Sequence, residues 1–296
     1  MKSLPDNLKI AVIGGDERQI YCAKRLSMVG YETTICGFEN YSGDIGLCTK
    51  SMDYSDALNF ADVVILPLPI SRDSKTLNLP LSENDLYIES LFKNVRKETI
   101  IFGGNVTPQI SETANKYGFR IVDYNDVEEF QIANAFLTAE SAVGLAIKEM
   151  NFSVKDASVL VMGYGRIGKM LCHILKSMGV NVFASARKKR DFEWIRAFGY
   201  SPINTQNVCT IISDCRLIFN TIPGLVLGEK ELFCLSEDAL VIDLASKPGG
   251  VNFEAAKKLG LKVIWALGLP GKCKPDSAGK IVADTVVGIL EDMEVI

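Results

Sequence analysis

Short apolar runs alternate with amphipathic segments of helical period along the first 125 residues. Each run is four or five residues long, and most end in glycine or proline, which marks the end of a strand. The five predicted strands are Lys9–Ile13, Glu32–Cys36, Asp62–Leu66, Thr99–Phe102 and Phe119–Val122. Between the first two, Arg18–Val29 has apolar residues on one face and predicts a helix. Apolar strands separated by helices indicate a parallel sheet that is covered on both faces.

The same alternation returns after residue 155. The predicted strands here are Ser158–Met162, Asn181–Ala184, Leu217–Asn220, Leu240–Leu244 and Lys262–Ala266. The predicted helices are Arg166–Met178, Asp191–Ala197, Phe253–Leu259 and, after a loop at Gly268–Lys274, a closing helix at Gly279–Met293. The fold class is therefore α/β, with two doubly wound parallel-sheet domains.

One segment between the two patterns has a different character. Asn125–Met150 contains no proline, and its first glycine is Gly144, so it predicts one long helix or two joined helices. We expect residues 1–130 and 279–296 to form an N-terminal, substrate-side domain. Residues 131–150 would be an interdomain helix, and residues 151–278 a dinucleotide-binding domain.

Charge and composition narrow the choice of partners. The 296 residues carry 32 Lys and Arg against 36 Asp and Glu, a net charge of −4, which argues against nucleic-acid binding. Every apolar run is shorter than a membrane span requires. Eight cysteines are scattered without a CxxC pair and there is one histidine, so we expect reduced thiols and no metal site. The sequence is compatible with a homo-oligomer.

A glycine-rich segment follows the first strand of the second pattern. Gly163, Tyr164, Gly165, Arg166, Ile167 and Gly168 spell G-x-G-x-x-G between a strand and a helix. In that context the glycines allow a tight turn, a close approach of the backbone to a pyrophosphate and close helix–strand packing. The helix N-terminus adds a partial positive charge. We predict a dinucleotide site here, which Thr221 and Pro223 at a later strand end would also line.

The next strand ends without the acidic residue that would bind the ribose hydroxyls of NAD. The first acid after the glycine motif is Asp191, and the strand runs into Ser185, Arg187, Lys188 and two further cations. A hydroxyl and an arginine suit a 2′-phosphate, so we predict NADP as the cofactor. Which residues between 187 and 190 contact the phosphate stays open.

Six segments together resemble one protein family, the A subunit of dipicolinate synthase. They read GGDER at 14–18, NAFLTAES at 134–141, GYGRIG at 163–168, SARK at 185–188, DLASKPGGV at 243–251 and ALGLPGKCKPDSAG at 266–279. The resemblance covers essentially the whole chain. It implies a flavodoxin-like N-terminal domain and a Rossmann NADP-binding domain, arranged as in formate and glycerate dehydrogenases.

The resemblance also implies an activity. That activity is the NADP-linked oxidation of dihydrodipicolinate, formed from 4-hydroxy-tetrahydrodipicolinate, to dipicolinate. It further implies a partner, a flavoprotein-like B subunit, and a role in endospore formation, in the cytoplasm of the mother cell.

A small dicarboxylate substrate needs cations and hydrogen-bond donors. The candidate substrate-binding residues are Arg18, Arg72, Thr138, Ser246 and Lys272, with Lys247 as a further cation. A proton acceptor is also needed as the ring becomes aromatic, and Asp16, Glu140 and neutral Lys247 all qualify. Strand ends of both domains carry these residues, so we expect the substrate between the domains, with domain closure excluding water.

Two other functions fit the same pattern. One is a different NAD(P)-dependent 2-hydroxyacid or amino-acid dehydrogenase. It is disfavoured because the single histidine, His173, lies on the helix after the glycine motif and is not expected to be catalytic. The other is a non-catalytic subunit that senses NADP.

Overall fold

Two compact units make up the part of the chain that the structure, a computed structural model, describes, residues 8–295. The first unit contains the described residues up to Asn134 and those from Pro270 onwards, and the second is Ala135–Leu269. The outermost positions of the expected ranges 1–130 and 279–296 lie outside the described residues.

The first unit alternates strands and helices as the apolar pattern predicts. Its strands are β1 Lys9–Ile13, β2 Glu32–Cys36, β3 Thr49–Ser51, β4 Val63–Ile65, β5 Ile100–Gly103 and β6 Ile121–Asp123. Its helices are α1 Glu17–Met28, α2 Tyr54–Phe60, α3 Ile88–Asn94, α4 Pro108–Lys116 and, later in the chain, α11 Pro275–Asp292, with a short 3-10 helix at Tyr124–Asp126.

These six strands form one parallel sheet in the order β3-β2-β1-β4-β5-β6. Without the three-residue edge strand β3, the order is that of a flavodoxin-like sheet. Apolar clusters cover both faces, one built on α1 and α11 and the other on α2, α3 and α4. Strands such as Ile10–Ile13 are fully buried for this reason.

The second unit repeats the design. Its strands are β7 Ser158–Met162, β8 Asn181–Ala186, β9 Ser201–Asn204, β10 Cys215–Asn220, β11 Leu240–Asp243 and β12 Lys262–Trp265. Its helices are α6 Arg166–Ser177, α7 Lys189–Ala197, α8 Glu229–Phe233 and α9 Phe253–Lys258, with 3-10 helices at Val154–Asp156, Thr205–Thr210 and Ile212–Asp214. The strand order, β12-β11-β10-β7-β8-β9, is that of a Rossmann fold. The predicted fold class is confirmed.

Two helices link the units along the chain. They are α5 Glu128–Glu149 and the short α10 Leu269–Cys273. Helix α5 is one helix, preceded by the 3-10 turn instead of starting at residue 125. By length and apolarity it passes a test for a membrane span, but half of its most apolar window is buried in the protein. A buried core helix passes the same test, so this is weak evidence for a span.

Most predicted boundaries differ from the structure by one or two residues, but α2, α3, α4 and α8 had no predicted range, and further features near α10 and at two strands were missed. The segment predicted as a loop at Gly268–Lys274 contains α10, and the closing helix begins at Pro275, four residues before the predicted start. Proline is well suited to the first helical turn because its missing N–H would have no partner there. Strands β3 and β9 are too short and polar to produce an apolar run.

The close packing of α11 on α1 depends on one glycine. A Cβ atom added at Gly279 would clash with the carbonyl oxygen of Arg18, and would lie 2.6 Å from the Cβ of Tyr21 and 2.7 Å from the nitrogen of Cys22. Two of these are backbone atoms of α1, which cannot move aside as a flexible side chain can. Gly279 therefore sets the distance between the two helices.

We expect Gly279→Ala to lower the free energy of unfolding by about 1–3 kcal/mol, because the new methyl group overpacks a rigid contact. Gly288→Ala, in the same helix, is the matched control. Nothing lies within 4 Å of its added Cβ, and the higher helix propensity of alanine should raise stability by up to about 1 kcal/mol. Urea unfolding of both variants would measure the difference. Equal effects at the two positions would contradict this account of the packing.

Candidate functional site

The glycine motif forms the turn between β7 and α6. Gly163 has a φ of +94°, and a Cβ there would lie 2.5 Å from the Thr221 hydroxyl oxygen. A Cβ at Gly168 would clash with the carbonyl oxygen of Gly163. These two positions require glycine for internal reasons: a left-handed backbone at the first, and close packing of helix against turn at the second.

Gly165 differs because nothing inside the protein requires it to be a glycine. It is the N-cap of α6, its φ of −82° suits any residue, and an added Cβ would enter open space. Among the described residues, no side chain caps this helix. An uncapped helix N-terminus beside open space is suited to a phosphate group, so the loop fits a dinucleotide. The neighbouring Tyr164 is half-buried, and burial raises the pKa of its phenol, which stays protonated.

Ser185 supports this loop from inside. Its side chain is fully buried, its hydroxyl oxygen accepts a hydrogen bond from the Gly163 N–H at 3.2 Å, and it pairs with the Thr205 hydroxyl at 3.2 Å. We expected Ser185 to contact the 2′-phosphate of the cofactor. In the structure its buried hydroxyl instead holds the glycine turn through the Gly163 N–H.

The end of β8 presents cations and no carboxylate. Ala186 is buried, and Arg187 and Lys188 are exposed directly after it. Asp191, the first acid, lies in the first turn of α7, where Arg190 Nε is 3.6 Å from its carboxylate. Arg187 and Lys188 are thus placed where a ligand at the strand ends could reach them.

A buried polar network joins the ends of β10 and β11. Asn220 and Asp243 are fully buried partners in the strand register. The Asn220 amide donates to Asp243 at 2.8 Å and to the Ile222 carbonyl at 3.1 Å. Asp243 also accepts from the backbone N–H groups of Ala245 at 3.1 Å and Gly250 at 2.9 Å.

This network fixes two loops at once, the one after β10 and the one after β11. A Cβ at Gly250 would clash with the Asn220 amide, so the second loop crosses directly over the first. The Trp265 indole donates to the Ala245 carbonyl at 2.9 Å and adds a third tether. Asn220 and Asp243 were not among the predicted site residues. They could have been found in the sequence as an Asn and an Asp at the ends of two predicted apolar strands.

The fixed loops carry several of the predicted site residues. Ser246 and Lys247 are exposed at the tip of the loop after β11. Thr221 is half-buried, and both its N–H and its hydroxyl donate to the Met162 carbonyl at 2.9 Å. Pro223 is exposed. The second unit therefore combines a glycine loop that is open at Gly165 and a strand-end lysine on one sheet edge.

In the first unit, Arg18 and Asp16 pair with each other. Arg18 is 7% exposed, and it donates to Asp16 Oδ1 from Nε at 2.9 Å and to Oδ2 from a terminal nitrogen at 2.7 Å. Asp16 also caps α1 by accepting from the Arg18 N–H at 3.2 Å. We expected Arg18 and the α1 N-terminus to hold a substrate carboxylate. The protein's own carboxylate occupies that position, and both oxygens of Asp16 are engaged, which argues against Asp16 as the proton acceptor.

The glycine turn of the first unit is closed over. The Gly15 N–H donates to the Asn78 carbonyl at 3.0 Å, and the Leu79 side chain lies where a Cβ of Gly14 would be. Gln19 and Tyr124, both fully buried, hydrogen-bond to the Leu66 carbonyl at 2.7 and 3.1 Å beneath this loop. This turn therefore leaves no open space of the kind found at Gly165.

The remaining candidates lie at scattered positions within each unit. In the first unit, Arg72 and Lys272 are exposed, and Asp73 orders the loop of Arg72 by accepting four hydrogen bonds. In the second, Thr138 is buried and Glu140 half-buried on α5, and both have polar interactions. Arg166 is exposed and Ile167 half-buried at the start of α6.

His173 is exposed on α6, away from the strand ends. Within residues 8–295, no group of three or more His, Cys, Asp or Glu side chains could hold a metal ion.

Fold and loop geometry define a class of protein. A transhydrogenase from Sinorhizobium meliloti shares the fold, with a TM-score of 0.72 at 16% identity over 96% of this chain and 94% of that one. An L-alanine dehydrogenase also shares this fold of two parallel sheets, with a TM-score of 0.66 at 12% identity over 96% of this chain and 89% of that one.

Three further comparisons point to one family. Residues 9–125 match the model of the N-terminal domain of the dipicolinate synthase A subunit. The A subunit of dipicolinate synthase from Bacillus subtilis is 28% identical over 97% of both chains. The crystal structure of the same subunit from Bacillus halodurans superposes with a TM-score of 0.83 at 28% identity, covering 96% of this chain and 98% of that one. Over nearly its whole length the chain is therefore similar to dipicolinate synthase A subunits.

The glycine loop yields a paired prediction. Gly165→Ala should leave the unfolding midpoint almost unchanged and weaken dinucleotide binding at least tenfold, because its methyl group enters the open space beside the α6 N-terminus. Gly168→Ala should instead lower stability by about 1–3 kcal/mol. Thermal unfolding and cofactor titration of each variant separate the two effects. Unchanged dinucleotide binding in a stable Gly165→Ala variant would contradict the assignment of the loop.

Proposed function

We propose that this chain is the NADP-linked, dihydrodipicolinate-oxidising subunit of a dipicolinate synthase. One observation carries the proposal: an open, uncapped glycine loop at Gly165, in a chain similar to dipicolinate synthase A subunits, beside a strand end that bears Arg187. The name of the relatives supports the product, dipicolinate. The fold of the structural neighbours supports the nicotinamide chemistry.

The choice of NADP rests on the end of β8. An NAD site needs a carboxylate there to accept hydrogen bonds from the ribose hydroxyls, and the buried Ala186 supplies none. Arg187 follows as an exposed guanidinium that can bind a phosphate through two parallel hydrogen bonds. Lys188 would add charge. Because Ser185 is engaged by Gly163, the proposed 2′-phosphate contacts come from the cations alone.

The cofactor would be held by the turn Gly163–Gly168 through its pyrophosphate, with Thr221 and Pro223 beside it. When bound, NADP would supply the hydride acceptor for the oxidation. This role fits the residues present, because the α6 N-terminus is uncapped and Gly165 opens onto free space.

Substrate binding in the second unit is assigned to Ser246 and Lys247. Lys247 is an exposed cation on a loop that Asp243 and Asn220 hold in place, so its ammonium group can bind one substrate carboxylate with little reorganisation. Arg72, Thr138 and Lys272 stay candidates for other substrate contacts. For the proton released as the ring becomes aromatic, Glu140 and Lys247 remain candidate acceptors.

The relatives are named as A subunits, which supports a multi-subunit enzyme. We propose that this chain works with a flavoprotein-like B subunit in the cytoplasm of the mother cell during endospore formation. The decisive assay measures NADPH formation from freshly generated dihydrodipicolinate, with the purified chain alone and with the B subunit. If neither preparation is active while NADP binding is intact, a subunit that senses NADP would be favoured.

Cofactor choice gives the first prediction of the proposal. Arg187→Ala should weaken NADP binding tenfold or more and leave NAD binding nearly unchanged, because a charged hydrogen bond contributes about 1.5–3 kcal/mol. Arg196→Ala, which removes an exposed arginine in the last turn of α7, is the control and should change neither affinity. Titration calorimetry measures all of these. Equal affinity of the unaltered protein for NADP and NAD would overturn the choice.

The second prediction of the proposal concerns the contact between Lys247 and the substrate. Lys247→Ala should lower kcat/KM for dihydrodipicolinate about tenfold or more through loss of a charged hydrogen bond, with NADP affinity within about twofold. The control is Lys257→Ala, an exposed lysine on α9 of the same unit. If Lys247→Ala behaves like Lys257→Ala in steady-state assays, the assignment of Lys247 is wrong.

A further inference from the structure

An open groove lies within the first unit, between the start of α5 and one side of α11. Its volume is about 420 Å³, in the range of ~300–1,000 Å³ that is usual for pockets that enclose a ligand. The half-buried apolar residues that line it also pack on the core of this unit: Val127, Ile281 and Ile289. Three exposed carboxylates line it as well, those of Glu129, Asp284 and Asp292.

Gly288 lies in the lining of this groove and in the middle of α11. A glycine inside a helix costs about 1 kcal/mol relative to alanine. Nothing lies within 4 Å of a Cβ added there, so the packing of the described residues does not require a glycine at this position. Ala133 and Thr285 are also small, and the groove is therefore wide enough for another surface to come close to both helices.

The charge of the groove limits what can occupy it. Helix α11 carries four acidic residues and one lysine, and Arg25 Nε lies 3.6 Å from the carboxylate of Asp284. If two copies of the chain paired groove to groove, like charges would face each other, which is costly. The occupant should therefore combine apolar side chains with cations.

Helix α7 of the second unit presents such a surface. Arg190, Trp194 and Phe198 are spaced by four residues, so they follow one side of the helix and form what we call the α7 stripe. The Arg190 side chain is 75% exposed, Trp194 is 56% exposed and Phe198 is 57% exposed. The two aromatic rings stack with their centroids 5.8 Å apart. Residues 187–198 contain five Lys and Arg against two acids, although the whole chain is acidic.

We propose that the chain associates with itself, with the α7 stripe of one copy bound in the groove of another. Trp194 and Phe198 would cover the apolar lining, and Arg190 would pair with the carboxylates. The lengths match, because the stripe spans about 12 Å and the part of α11 from Ile281 to Asp292 spans about 16 Å. Tryptophan and arginine are also the residues that most often dominate the binding energy of interfaces. The two surfaces differ, so the contact is heterologous.

The test measures self-association by sedimentation velocity over a range of protein concentrations. One variant, Trp194→Ser, alters the stripe, and a second, Glu129→Lys with Asp292→Lys, reverses charge in the groove. Each should raise the dissociation constant of self-association about tenfold or more. An equimolar mixture should form a one-to-one complex, because each variant keeps the surface that the other has lost. Trp194 is changed instead of Arg190 because Arg190 is one of the cations that follow β8.

Two control variants have the same kinds of substitution at other positions. Phe233→Ser removes an aromatic ring that is 79% exposed on α8 of the second unit. Glu89→Lys with Glu112→Lys makes the same change of net charge on α3 and α4, which cover the other face of the first sheet. Both controls should associate like the unaltered protein.

Four results would overturn the proposal. They are an unaltered protein that is monomeric at every concentration, association that either variant leaves unchanged, a mixture no larger than its components, and loss of association in either control. If the chain alone is monomeric but the groove variant loses binding to the B subunit, the groove holds that partner instead of a second copy.

Discussion

The buried carboxylate of Asp243 constrains the functional edge of the second sheet more than any other group described. A buried polar group is tolerated only when hydrogen bonds replace its lost water, and the Asp243 side chain obtains them from Asn220 and from two backbone N–H groups. Those donors belong to the loops after β10 and β11. Satisfying one carboxylate thus fixes both loops, and with them the positions of Thr221 and Lys247.

The two units share one sheet architecture but differ at the N-terminus of the helix that follows their first strand. Both place a glycine turn and a helix N-terminus at the carboxyl end of the first strand. In the first unit Asp16 caps α1, and Asn78 and Leu79 cover the turn, so the anion position is already filled. In the second unit α6 is uncapped and Gly165 faces open space. A single side chain at the N-cap accounts for much of this contrast, since a carboxylate there competes with any ligand anion.

The apolar strands could be predicted from the sequence, because a strand that is buried on both faces contains few polar residues. Strands β1, β2 and β7 begin and end at the predicted residues, and the glycine motif lies where its spacing places it. Short edge strands such as β3 are polar, so no apolar run in the sequence indicates them. The partners of individual side chains could not be predicted from the sequence. It does not show whether Arg18 binds a substrate or pairs with Asp16, nor that the Ser185 hydroxyl hydrogen-bonds to the glycine turn. The Arg18 outcome depends on the local geometry of the α1 N-cap, and the Ser185 outcome on how β8 pairs with β7.

The absence of a histidine from the strand ends fits the proposed reaction better than it fits a 2-hydroxyacid oxidation. Removing hydride from an alcohol carbon requires a group that takes the hydroxyl proton at the same time, and general-base catalysis of that kind usually contributes a factor of about 100 to 10,000. His173 is exposed on α6 and cannot serve. Oxidation of a dihydropyridine ring instead yields an aromatic product, so a large driving force replaces much of what a strong base would add. What such a reaction requires is orientation of the ring and its carboxylates, which a lysine on a rigid loop can provide.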